Sequence, residues 1–212
     1  MNVKLIAVDM DGTFLTNNNE YDQERFTRQY EFMKEKGIHF VVASGNQYYQ
    51  LRSFFPDIHN ELAFIAENGA YIVDQGKDVF VAKLAKEDIQ TVLKVVNQYP
   101  EVEKIVCGRK SAYISKYIDE DFYNTMNFYY HRLAKVDNFD DFDDTIFKIY
   151  LHCSKDNFET ILTELKEKIG HIMTPVDCGH FGIDLIIPGI NKAHGINPVS
   201  YTHLTLPTTS RV

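Results

Sequence analysis

Long apolar runs are missing from this 212-residue chain, and so is a surplus of positive charge. No stretch approaches the roughly 18 consecutive apolar residues of a membrane-spanning helix, so no membrane segment is predicted. Lys and Arg number 22 against 30 Asp and Glu, a net charge of −8. A nucleic-acid surface needs a basic face, and this balance argues against one. It leaves room for a small phosphorylated metabolite, whose charge a metal ion and a lysine can meet locally. Cysteine is scarce, with three residues far apart. An odd, scattered set reads as free thiols in a reducing compartment. No signal peptide is visible, because the N-terminus enters a strand directly. There is no internal repeat or low-complexity tract. These absences together predict a soluble cytoplasmic protein without a membrane or nucleic-acid partner; they leave the oligomeric state open. With 44% hydrophobic residues the chain can build a real core, and its length suits one domain plus an inserted subdomain.

The most informative stretch is Lys4 to Leu15. Leu5 to Val8 form the short apolar run of a buried parallel strand, followed by Asp9, Asp11 and Gly12. In open α/β sheets ligands bind beyond the carboxyl ends of the strands. Two acids there repel each other and are costly to bury unpaired. A divalent metal resolves the conflict, since hard cations favour carboxylate oxygens. The matching chemistry is phosphoryl transfer: one carboxylate attacks phosphorus, and the other protonates the leaving group and then activates water. Gly12 permits a tight turn that brings N–H groups towards a phosphate. The competing explanation is a strand followed by a plain Asp-Gly turn.

Downstream, Asp22 to Lys36 reads as a helix with Phe26, Tyr30 and Met33 on one face, and Gly37 stands after its end. Ile38 to Ala43 is the next strand, which makes a βαβ unit with parallel strands. It ends at Ser44-Gly45-Asn46, on the same sheet edge as Asp9. Ser44 and the Gly45 N–H could hold phosphoryl oxygens, with a helix starting near Gln47; an ordinary helix cap is the alternative. Leu62 to Ala66 is a third strand, ending in Glu67-Asn68-Gly69-Ala70, whose residues are assigned structural roles in a turn. Lys86 to Gln98 and Asn157 to Ile169 are amphipathic helices, and residues 83–182 read as an inserted α+β subdomain. The acidic group Asp137, Asp140, Asp141, Asp143 and Asp144 reads as a solvated turn, since it lacks the EF-hand pattern. Tyr129, Tyr130, His131 and Arg132 read as a surface loop. Lys192 sits at a predicted helix start, where the dipole disfavours a cation unless a phosphate is bound.

Asp9-Met10-Asp11-Gly12-Thr13, Ser44-Gly45-Asn46, Glu67-Asn68-Gly69-Ala70 and Gly189-Ile190-Asn191-Lys192 together resemble the Cof-type branch of the haloacid dehalogenase-like (HAD) phosphatases. The strings Val41 to Leu51 and Asp184 to Gly189 look especially like its bacterial sugar-phosphatase members. The resemblance covers about residues 1–197. It implies an α/β fold: a HAD-like Rossmannoid core with an inserted cap. The expected divisions are a core at 1–82, a cap at 83–182, a return to the core at 183–197 and a non-native tail at 198–212. By resemblance Asp9 is the nucleophile and a Mg²⁺ ligand. Asp11 is the general acid/base, and its backbone carbonyl is the second metal ligand. Ser44 and Lys192 hold the phosphoryl group, with Gly45 and Asn46 beside it. Asn46 stands where many relatives carry arginine. The implied function is Mg²⁺-dependent hydrolysis of small phosphate monoesters, sugar phosphates foremost, through an aspartyl-phosphate. The alternatives are a sugar-phosphate phosphotransferase or mutase, and a non-catalytic fragment that at most binds phosphorylated ligands.

The family continues past the lysine helix to a strand ending in Gly-Asp-x-x-x-Asp, whose acids complete the metal site. Residues 193–212 contain no acidic residue. The expectation is therefore a core incomplete at its C-terminus, with the first strand at an open edge and weak magnesium affinity. Sequencing the parent locus across residue 197 checks this: a junction there is expected, and uninterrupted native coding would overturn it.

Overall fold

The computed structural model describes residues 3–140 and 143–204. The chain divides into two compact units, Met1–Val81 with Asn191–Val212, and Ala82–Ile190. Among the described residues, no helix is long and apolar enough to cross a membrane.

The first unit runs β1 (Leu5–Val8), α1 (Gln23–Glu35), β2 (His39–Ala43), α2 (Tyr48–Ser53), β3 (Ala63–Ala66), β4 (Tyr71–Asp74) and β5 (Lys77–Val81). Its sheet has the order β1-β2-β3-β4-β5. β1, β2 and β3 are parallel, and β4 and β5 continue antiparallel. β1 stands at the sheet's edge, and Leu5, Ile6 and Val8 are only half buried. α1 forms where the apolar stripe predicts: Asp22 caps it by accepting the Arg25 N–H at 2.8 Å, and Gly37 follows with φ of 62°. Its buried residues are Phe26, Tyr30 and Met33. Phe26 packs with Phe14, Tyr21, Phe40 and Phe55 in an aromatic cluster with ring centroids 4.8–6.3 Å apart.

The second unit holds α3 (Lys86–Val96), β6 (Glu103–Gly108), β7 (Ala112–Ser115), α4 (Glu120–Tyr129), β8 (Leu133–Val136), β9 (Ile146–His152), α5 (Phe158–Ile169), β10 (Thr174–Gly179) and β11 (Gly182–Ile186). Its sheet order is β10-β11-β9-β6-β7-β8. Ile89, Val92, Leu93 and Val96 of α3 join Phe158, Ile161, Leu162, Leu165 and Ile169 of α5 over Val106, Ile149, Leu151, Ile183 and Leu185 of the strands. Each such side chain contributes about 1.5–3 kcal/mol on burial. A second cluster puts Met126 and Tyr130 against Ile105, Cys107 and Ile114.

α6 (Lys192–Leu204) returns to the first unit. It brings Val199, fully buried, into a cluster with Val41, Ala43, Ala63, Ile65 and Ile72.

Four features depart from the sequence reading. Tyr129, read as surface loop, is the last residue of α4, and Tyr130, read likewise, is buried in the second cluster. β8 lies where no strand was predicted; its Leu-Ala-Lys-Val run is too short to show alternation, and it is held as a parallel partner of β7. Gly182–Ile186 pairs with β9 and β10, so the compact unit extends to Ile190 rather than ending at 182. The helix of the expected return segment continues past 197 to Leu204; residues 205–212 of the expected tail, and Asp141 of the acidic turn, lie outside the described residues.

The second sheet carries a buried ion pair. Lys148 Nζ lies 3.2 Å from Asp184 Oδ2, with side chains 5% and 9% exposed. Removing one partner of such a pair leaves a buried charge, so Lys148→Met is expected to lower unfolding stability by about 3–5 kcal/mol, measured by urea titration.

Candidate active site

The parallel register fixes the site. Val8 pairs with Val42 and Ala43 with Ile65, so the residues that follow β1, β2 and β3 emerge at one edge of the sheet. The chain leaves β1 in a wide turn over Met10–Phe14. Phe14 N–H donates to the Asp9 carbonyl at 3.1 Å, and Leu15 N–H to the Met10 carbonyl at 2.9 Å. Gly12 supplies the φ of 65° that the turn needs. Met10 is fully buried, and Phe14 packs in the aromatic cluster. Those two apolar anchors leave Asp9 and Asp11 accessible between them.

Asp9 Oδ1 accepts the Met10 N–H at 2.9 Å and the Lys192 ammonium at 2.9 Å. Among the described residues Oδ2 accepts no hydrogen bond. Lys192 is the first residue of α6, and Asn191 caps that helix through Oδ1 on the His194 N–H at 2.9 Å. The side chains of the Lys192–Asp9 pair are 39% and 45% exposed. An exposed pair of this kind contributes about 0.2–1 kcal/mol. A cation at a helix N-terminus costs about 0.3–1 kcal/mol. The two nearly cancel, so stability does not explain a lysine here.

Asp11 Oδ2 accepts a hydrogen bond from Asn46 Nδ2 at 2.9 Å. The Asn46 N–H in turn donates to Ser44 Oγ at 3.1 Å. Ser44 is fully buried, and its N–H donates to the Ile65 carbonyl at 2.9 Å. Gly45 lies against Asn68: a Cβ at position 45 would come within 2.8 Å of Asn68 Oδ1. The helix that follows, α2, is only six residues long. The fold thus joins Asp9 to Lys192, Asp11 to Asn46, and Asn46 to Ser44. The Asn46–Asp11 hydrogen bond was not foreseen; the parallel βαβ register, which brings the two strand ends together, was the available signal.

Among the described residues, no three His, Cys, Asp or Glu side chains gather as a metal-binding group. The carboxylates of Asp9 and Asp11 are the hard oxygen donors at this edge. They fit a hydrated divalent cation such as magnesium, which takes one or two carboxylates and fills its other positions with water or phosphate oxygens. In the acidic turn of the second unit, Asp143 and Asp144 are held internally. Asp144 accepts the Lys110 N–H, the Thr145 N–H and the Tyr113 hydroxyl, and Asp143 pairs with Lys110 at 2.8 Å.

Residues 6–208 match the family profile of haloacid dehalogenase-like hydrolases. The chain is 53% identical over 196 residues to 5-amino-6-(5-phospho-D-ribitylamino)uracil phosphatase YbjI of Escherichia coli K12, covering 92% of this chain and 72% of that protein. The crystal structure of SMU.1108c from Streptococcus mutans superposes with a TM-score of 0.87 at 31% identity, over 94% of this chain and 76% of that one. The sugar phosphatase BT4131, described as a member of HAD subclass IIB, shares the fold with a TM-score of 0.75 at 14% identity, over 96% of this chain and 77% of its own.

If the Lys192–Asp9 pair carries little stability, Lys192→Met should change the unfolding free energy by less than about 1 kcal/mol in denaturant titration. A larger loss would make the pair a structural one.

Proposed function

The chain belongs to the haloacid dehalogenase-like hydrolases and is a phosphatase of that family, and we propose that it hydrolyses small phosphate monoesters of sugars or sugar alcohols through Asp9, with magnesium as its metal. The observation that carries this reading is the Lys192–Asp9 contact at 2.9 Å, a cation brought 183 residues along the chain to a carboxylate at a strand end. Phosphoryl transfer needs positive charge beside its nucleophile, because the transferring group is itself anionic.

In this mechanism Asp9 attacks phosphorus through Oδ2, since Oδ1 is held by Lys192 and the Met10 N–H. The phosphorus–oxygen bond to the alcohol breaks as the aspartyl-phosphate forms. Asp11 gives its proton to the departing alcohol oxygen. Its Oδ2 accepts from Asn46, so the proton is carried on Oδ1. Asp11, now a carboxylate, takes a proton from the water that attacks the aspartyl-phosphate. That step releases inorganic phosphate and restores Asp9. Lys192 and the Ser44-Gly45-Asn46 loop hold the phosphoryl oxygens. Magnesium, when held by the Asp9 carboxylate and the Asp11 backbone carbonyl, would supply neutralisation of the phosphate charge.

The substrate class rests on the relatives. YbjI is named for a substrate that carries a phosphorylated ribityl chain, and BT4131 for sugar phosphates. Both are small polyhydroxylated phosphate monoesters, and that is the class assigned here. The second unit, Ala82–Ile190, is assigned the role of the cap that selects among them. The reaction belongs in the cytoplasm, where Cys107, Cys153 and Cys178 stay as free thiols.

The test is phosphate release from a panel of sugar and sugar-alcohol phosphates, with and without magnesium. Release is expected to need the metal and to vanish in Asp9→Asn. In Asp11→Asn it is expected to fall on the order of 10²–10⁴-fold. A folded chain that releases nothing, or an Asp9→Asn variant as active as the parent, would overturn the reading.

A further inference from the structure

The turn after β3 is built against the conformational preferences of its residues. Glu67, Asn68 and Gly69 have φ of 50°, 58° and 97°. Glycine takes that region freely and asparagine tolerates it, but glutamate seldom enters it. A residue held there costs on the order of 1–3 kcal/mol and persists only where its surroundings over-determine it. Closing the hairpin between β3 and β4 does not require it, since four-residue loops are commonly built around ordinary type I turns.

The surroundings are the two halves of the site. On one side, the Glu67 N–H donates to the Asn46 carbonyl at 3.1 Å and the Asn68 N–H to the Ser44 carbonyl at 3.2 Å. Asn68 also fills the space beside the bare α-carbon of Gly45. On the other side, Gly69 is pressed against the start of α6: a Cβ there would come 2.3 Å from the Asn191 carbonyl oxygen. Glu67 itself is 2% exposed, so the turn is locked from within as well. One face of the turn therefore touches the loop whose Asn46 holds Asp11. The other touches the residue next to Lys192, which holds Asp9.

We propose that the strained turn Glu67–Asn68–Gly69 is a positioning element that holds Lys192 on Asp9 and Asn46 on Asp11 by fixing the start of α6 against the 44–46 loop. It touches neither reacting carboxylate and acts through their partners. The inference rests on the reading that Asp9 and Asp11 perform the chemistry, but its geometric core can be tested without turnover.

The experiment is competitive labelling of lysine amines in the intact protein, read residue by residue by mass spectrometry. An amine held in an ion pair reacts slowly. In Gly69→Ala the new methyl group must push Asn191 away, and labelling at Lys192 is expected to rise several-fold while Lys36 and Lys77 are unchanged. Asn68→Val places a branched side chain in the same left-handed region and is expected to act likewise, which covers the case in which Gly69→Ala does not fold. Asn68→Gly, which accepts φ of 58° without strain, is expected to keep Lys192 protected. Where turnover is measurable, Gly69→Ala should lower kcat on the order of 10²-fold with KM little changed. A folded Gly69→Ala or Asn68→Val protein whose Lys192 labels at the parent rate would overturn the proposal and assign the turn to stability alone. Loss of the proposed phosphatase reading would show instead as an unaffected Asp9→Asn variant, whatever the labelling gives.

Discussion

Three parallel strands in register are the constraint on which everything at the site depends. Parallel pairing sends β1, β2 and β3 out of the sheet in the same direction, and the pairs Val8 with Val42 and Ala43 with Ile65 leave no freedom in how their ends align. A slip of one residue would turn every side chain of the slipped strand to the opposite face. The buried Val41, Ala43, Ala63 and Ile65 oppose that slip. The acids, the serine loop and the Glu67 turn converge because apolar side chains upstream of them have nowhere else to go.

The second unit handles charge differently. Along β9, Ile149 and Leu151 enter the cluster under α3 and α5, while Tyr150 packs on the opposite side with the residues of α4. Lys148 shares Tyr150's face by alternation, and Asp184 lies directly across from Tyr150 on β11. The two charges meet diagonally on a face that is otherwise largely apolar. Burying them is costly, and they are tolerable only as partners. The Lys192–Asp9 pair has no such necessity. It is half open to solvent, so either member could be replaced at little cost to folding. A surface pair that folding does not need, joining distant parts of the chain, is best explained by what it holds in place.

How much was legible in the sequence follows the same division. β1 with Asp9, the stripe of α1, and the amphipathic helices α3 and α5 were readable because burial writes a period into the chain. β8 was not, since four residues flanked by a helix and a polar turn carry too little alternation to distinguish strand from loop. The end of the inserted unit was misplaced for a related reason. Gly182–Ile186 reads equally well as a strand of either sheet, and only its pairing with β9 and β10 decides. At the site, Asp9 and Lys192 were both singled out in the sequence, one for its place after a strand and one for its place against a helix dipole. Asn46 was read as a neighbour of the phosphate because the resemblance put it there. Its hydrogen bond to Asp11 depends on side-chain directions across two loops, which no periodicity encodes.

The same reasoning explains why an asparagine at position 46, in place of the arginine that the resemblance leads one to expect, changes more than a charge. An arginine presents a fixed fork of five donors and suits a phosphate or carboxylate held in two-point contact. An asparagine amide is shorter and neutral and both donates and accepts. Here one of its two amide N–H donors is used on Asp11 and its backbone N–H on Ser44. The residue therefore ties the second acid to the loop instead of presenting a free cation at the site. Among the described residues, the cation that contacts the two acids is Lys192, whose ammonium is already on Asp9. In the proposed mechanism a substrate phosphate arriving there would meet a cation held beside Asp9, and the neutral amide would orient Asp11. The two carboxylates are chemically alike in the sequence. The fold makes them unlike by giving one a cation and the other an amide.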